Sequence, residues 1–234
     1  MFEREHHRRV ATVLTALDAD LLAANACWFG GGTAMTLRYG EYRESVDIVF
    51  LVSEREGYRT VRQHLTGPRG MRALTRRGHL LNQARELRAD QYGVRTMLSI
   101  DSVQIKFEVV LEGRIGFQTP GPGDKICGIT TLSALDMATS KLLANADRWR
   151  DDAVRSRDLI DLAMMVPAKQ LLRAALAKAK SAFGDSVDAA LAGAIQDLRD
   201  RPHRLDECMQ SLGMTTVPKA LLWKRIRSLA TNSS

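Results

Sequence analysis

At 234 residues, with 45% hydrophobic and 26% charged residues, the chain can bury one large core or two small ones, which excludes a disordered polymer. No run reaches the roughly 18 to 20 apolar residues of a bilayer crossing, and Cys27, Cys127 and Cys208 lie too far apart for a zinc site or disulfide framework, so they read as buried thiols. The formal net charge of +7 is concentrated between Arg55 and Arg95, where ten arginines outnumber Glu56, Glu86 and Asp90. That stretch suits a polyphosphate or nucleic acid, or is simply a solvated basic surface.

Basic residues open the chain, and Asp18 and Asp20 interrupt the apolar stretch behind them, so the expectation is a cytoplasmic protein rather than a secretion signal. Val10, Val13, Leu14, Leu17 and Leu21 recur at helical spacing and predict an amphipathic helix. In CWFGGGTAMTLRYG a short apolar strand meets a glycine turn and then a helix that Thr33 can cap. VDIVFLV reads as a strand and EGYRTVRQHL as the next helix. GVRTMLSI and SVQIKFEVVL pair as strands around a turn at Asp101 and Ser102; on the second, Gln104, Lys106 and Glu108 share the polar face. TPGPGD punctuates the chain, and the pattern beyond it is helical, with Ser133 a cap, Pro167 a stop, and breaks near Gly184, Pro202 and Gly213. The expected architecture is α+β: a mixed sheet with flanking helices over 1–118, a linker over 119–130, and a helical domain over 131–234.

The residues that carry chemistry come from separate segments. Gly30, Gly31, Gly32 and Thr33 form a turn at a helix N-terminus, where free N–H groups and the helix dipole suit a phosphate, although glycines there also serve tight packing. Asp47 follows on the next strand. An Asp-x-Asp pair would put two carboxylates on one strand face, but position 49 is Val. Lys141, Asn145 and Arg148 form a polar stripe on one helix, and Asp158 and Asp161 lie one turn apart on the next. The histidines, His6 and His7 included, lack metal-ligand spacing and are expected at the surface.

FGGGTAMTLRYGEYRESVDIVF resembles the signature of polymerase-β-type nucleotidyltransferases: a hydrophobic residue, paired glycines, a short helix, then an acidic strand. The Gly-Gly-Thr, LRYG, Arg and SVD elements, followed by KLLANADRWRDDAVRSRDLIDL, are similar to the AbiEii/AbiGii toxin family of that superfamily, in order over residues 28–162. The resemblance implies a nucleotidyltransferase-fold sheet and a triphosphate cradled by Gly31, Gly32 and Thr33. It makes Asp47 and Glu108 the Mg²⁺ ligands, Lys141 a phosphate contact and Asp158 an acid completing the cleft from the helical domain. It further implies a nucleoside triphosphate substrate, an acceptor hydroxyl on tRNA or another RNA, and an antitoxin partner. Val49 stands where a second metal-binding carboxylate is expected. Losing one charge-stabilising interaction worth about 3 to 4 kcal/mol slows turnover roughly a hundred- to a thousandfold. Two functions therefore stay open: a weakened nucleotidyltransferase, or a catalytically inactive relative that binds nucleotide, RNA or a protein.

Overall fold

The computed structural model describes residues 2–233, the last three by backbone alone, so the outer ends of the two expected domains, residues 1 and 234, lie outside the described residues. The chain divides into two units: Met1–Leu37 with Ser45–Ser133, and Arg38–Glu44 with Ala134–Ser234.

The first unit opens with α1 (Glu5–Ala16), which buries Val10, Val13 and Leu14. A single helix running on to Leu21 is not what forms. Leu17 is extended and bridges Thr75, and Asp18 caps a second helix, α2 (Ala19–Ala24), by accepting the Leu21 amide at 3.0 Å. His7, expected at the surface, is fully buried, and its Nε2 accepts the Ser45 amide at 3.3 Å.

Then come β1 (Trp28–Gly30), α3 (Gly31–Arg38), β2 (Ile48–Val52), α4 (Arg55–Thr66) and a 3-10 turn at Gly70–Leu74. The short strands β3 (Asn82–Gln83) and β4 (Arg88–Ala89) precede the long pair β5 (Gly93–Ile100) and β6 (Val103–Leu111). The sheet order is β1-β2-β6-β5-β3, with β4 also on β5; β2 and β6 are parallel and the other pairs antiparallel. Asp101 and Ser102 both take positive φ, 49° and 64°, the backbone twist a two-residue hairpin demands.

Alternation sorts the sheet into two faces. Ile48, Phe50 and Val52 of β2 and Ile105, Phe107 and Val109 of β6 are buried. The Phe29, Phe50 and Phe107 rings follow one another at 5.6 and 5.7 Å between centroids. The other face carries Val49, Lys106, Glu108 and Arg95, half-buried or exposed.

Segment 119–130, expected as a linker, counts with this first unit. It contains the hairpin β7 (Lys125–Ile126) and β8 (Ile129–Thr130), turned at Cys127 and Gly128 with positive φ, and the Leu132 amide just beyond donates to the Phe29 carbonyl at 3.0 Å. Proline and glycine mark a turn whether the chain leaves a domain there or folds back onto it.

The second unit is helical: α5 (Ala134–Arg148), α6 (Arg157–Met165), α7 (Lys169–Phe183), α8 (Ser186–Asp200), α9 (Arg204–Ser211) and α10 (Lys219–Ser233). Its breaks fall at the three expected places, and Leu142, Ile160, Leu172, Leu191, Leu222 and Ile226 form its core. No described helix is long and apolar enough to cross a membrane.

Candidate active site

Gly31 takes φ +70°, a conformation open to glycine at little cost, and this lets β1 turn directly into α3. A Cβ at Gly31 would lie 3.2 Å from the Val49 Cβ, so position 49 sits directly against the glycine turn. Thr33 is not the helix cap: it lies inside α3, 1% exposed, and its hydroxyl donates to the Asp47 carbonyl with Ser45 Oγ 2.8 Å away. That bond fixes the backbone ahead of β2 and leaves the first-turn amides of α3 without a cap from Thr33, where an anion is favoured. The Asp47 side chain is half-buried, one residue before β2, and free of hydrogen bonds and ion pairs to the described residues.

Strand register brings the other predicted residue into line. Gly30 pairs with Val49, Val49 with Glu108, Glu108 with Arg95 and Arg95 with Arg88, one row across four strand boundaries. Residues in one row share a sheet face, so Glu108 does project beside position 49. Its carboxylate, however, is committed: Arg95 Nε donates to Oε1 at 3.1 Å and Lys106 Nζ lies 2.9 Å from Oε2. Arg95 also holds Asp90 at 3.1 Å. Lys106 lies on this face as its alternation with Glu108 implies, whereas the Arg95–Glu108 pair has no local signal in the sequence and follows only from the cross-strand register.

These donors do not fit a divalent ion held by the protein. Mg²⁺ takes oxygen ligands in a near-ideal octahedron, whereas position 49 offers methyl groups and both Glu108 oxygens already meet cations. Among the described residues no group of three or more His, Cys, Asp or Glu could hold a metal.

Lys141 and Asp158 lie in the second unit, within a buried ion network. Lys141 Nζ sits 3.0 Å from Asp158 Oδ1 and 2.6 Å from Asp161 Oδ2. Arg148 reaches both Asp158 oxygens at 2.8 and 3.1 Å. Asp161 also accepts a bidentate pair from Arg43, 2.7 and 2.8 Å, and a bond from the Tyr42 hydroxyl at 2.7 Å. Burial pushes the Asp161 carboxyl up, and the Arg43 guanidinium and Lys141 ammonium more than reverse this, holding it far below the usual carboxylate range. Asp158 follows the same logic: burial raises it, and Lys141 and then Arg148 bring it below its ordinary value. Arg43 and Tyr42 had no assigned role in the sequence reading beyond the Arg of the motif. Their partner lies more than a hundred residues away, with no local signal to find it.

All ten arginines from Arg55 to Arg95 are exposed. Arg55, Arg59 and Arg62 form an exposed stripe along α4, about a quarter turn around the helix from the buried Tyr58, Val61 and Leu65. Apart from Arg59, 4.0 Å from Glu56, and Arg95, none of the ten has a carboxylate partner among the described residues.

Two solved structures from Helicobacter pylori share this fold. A candidate nucleotidyltransferase from H. pylori is 14% identical with a TM-score of 0.57, covering 99% of this chain and 97% of that one. The protein JHP933 is also 14% identical, with a TM-score of 0.55, covering 100% of this chain and 95% of that one. At this identity the likeness shows the fold alone, a mixed sheet with flanking helices of nucleotidyltransferase type. No curated protein matches. The profile described as nucleotidyl transferase AbiEii toxin, type IV toxin–antitoxin system, matches residues 12–227, in agreement with the glycine turn, the acidic strand and the Arg-Asp-x-x-Asp helix, and the chain belongs to that family.

Proposed function

We propose that the chain binds a nucleoside triphosphate at the turn of Gly31 and Gly32, against the sheet face of Asp47, Lys106 and Glu108, and transfers its nucleotide to a hydroxyl of tRNA. The single observation that carries this reading is the contact of position 49 with the glycine turn in the same row as Glu108. In the transfer the acceptor oxygen bonds to the α-phosphorus, the bond to the bridging oxygen breaks and pyrophosphate leaves. Asp47, the free carboxylate of this face, takes the hydroxyl proton. Mg²⁺ enters this reading as the counter-ion of the incoming triphosphate. The exposed arginines supply the field that draws in RNA. Lys141 and Asp158 we assign to holding the helical unit and its Arg43 segment rather than to a phosphate contact, because each already has charged partners. Family membership makes an antitoxin the proposed partner in the cell.

Val49 favours a second reading, in which nucleotide is held and not transferred. Labelled triphosphates incubated with total tRNA separate the two. Label should enter tRNA with the native chain, and Asp47→Ala should abolish it. Nucleotide binding with no transfer supports the second reading, and undiminished transfer by Asp47→Ala moves the site elsewhere.

A further inference from the structure

A triphosphate facing two or three bare carboxylates is repelled unless a cation lies between, and the acidic strand pattern conventionally recruits a divalent ion for that purpose. Here the second carboxylate is Val49 and the other, Glu108, is neutralised by side chains of the chain itself. Lys106 and Glu108 lie two residues apart on β6, on one face, with Val49 beside Glu108 and the glycine turn against Val49. The Lys106 side chain is 43% exposed while Glu108 is 13% exposed. The carboxylate is thus tucked in and the ammonium stands toward solvent, with donors left over after its bond to Glu108. Arg95, tethered between Glu108 and Asp90, holds the second Glu108 oxygen away from any metal.

We propose that Lys106 is a triphosphate ligand that supplies the charge a divalent ion would otherwise bring, with Glu108 and Arg95 as its positioning residues, so that nucleotide binding does not depend on a metal. This rests on the nucleotide site proposed above and changes its chemistry. Ion pairs whose cations are as exposed as Lys106 and Arg95 contribute little to folding, so an ammonium held beside the Val49–Glu108 pair is better explained by an anion that meets it.

The test is calorimetric titration of the full chain with each of the four ribonucleoside triphosphates, in EDTA and again in excess magnesium. Affinity in EDTA should stay within about threefold of that in magnesium; Lys106→Met should weaken EDTA binding by about tenfold or more, with Lys106→Arg restoring most of it. Because Lys106 is partly exposed, thermal unfolding of Lys106→Met should match the native chain. Val49→Asp should make binding magnesium-responsive. Native binding that vanishes in EDTA and returns with magnesium, or Lys106→Met binding as well as the native chain in EDTA, overturns the inference and leaves the nucleotide site standing. No binding of any triphosphate under either condition removes the nucleotide site and the inference with it.

Discussion

Asp161 is the side chain whose loss should be felt most. It is fully buried and accepts from Tyr42, Arg43 and Lys141, so Asp161→Asn leaves buried cations without their counter-charge and should cost about 3 to 5 kcal/mol in urea unfolding at pH 7. Tyr42→Phe removes one bond and leaves the charges paired, so about 1 kcal/mol is expected. The pH dependence has a definite sign. Asp158 and Asp161 are held below the carboxylate value of about 3.9 that they regain on unfolding, so the unfolded chain binds protons first as pH falls. Their contribution is complete above roughly pH 5 and is lost as pH drops through the folded values. Unfolding free energies at pH 7, 4 and 3 should show this decline, with a shallower slope in Asp161→Asn. The missing acid at position 49 could be read from a strand pattern of period two. The Arg43–Asp161 pair could not, because burial and bidentate geometry across 118 residues leave no periodic trace.

Helix α6 ends in a strained residue. Val166 takes φ 48° and ψ 56°, a left-handed conformation that crowds a β-branched side chain, and it stands 57% exposed just before Pro167. Little packing is lost there on substitution, so Val166→Gly should stabilise by about 1 kcal/mol and raise the midpoint of thermal unfolding by about 2 to 4 °C. Elements of this size were legible where local chemistry decides them: the β5–β6 hairpin around Asp101 and Ser102, and the stops near Gly184, Pro202 and Gly213. They were illegible where a partner from elsewhere decides. Thr33 is a sound cap by type, yet its hydroxyl turns to the Asp47 carbonyl. Leu17 continues a helical period but is extended, bridging Thr75.

For the molecule as a whole the surplus charge is local. With most of the arginines between Arg55 and Arg95 unpaired on the surface, RNA binding should weaken steeply with salt. Replacing Arg55, Arg59 and Arg62 with Ser should lower the slope of log K against log salt by up to about 2 for single-stranded RNA, while nucleotide affinity stays constant. An unchanged slope would locate the RNA surface away from α4. The division of the chain has a different kind of consequence. The backbone enters the helical unit at Arg38, leaves it at Glu44 and re-enters at Ala134, so that unit is built from two separate stretches of chain. A protease nick between Ser133 and Ala134 would sever the peptide and still leave Tyr42 and Arg43 fastened to Asp161. The halves should co-elute on gel filtration and part only in denaturant, and the amino-terminal half expressed alone should be insoluble.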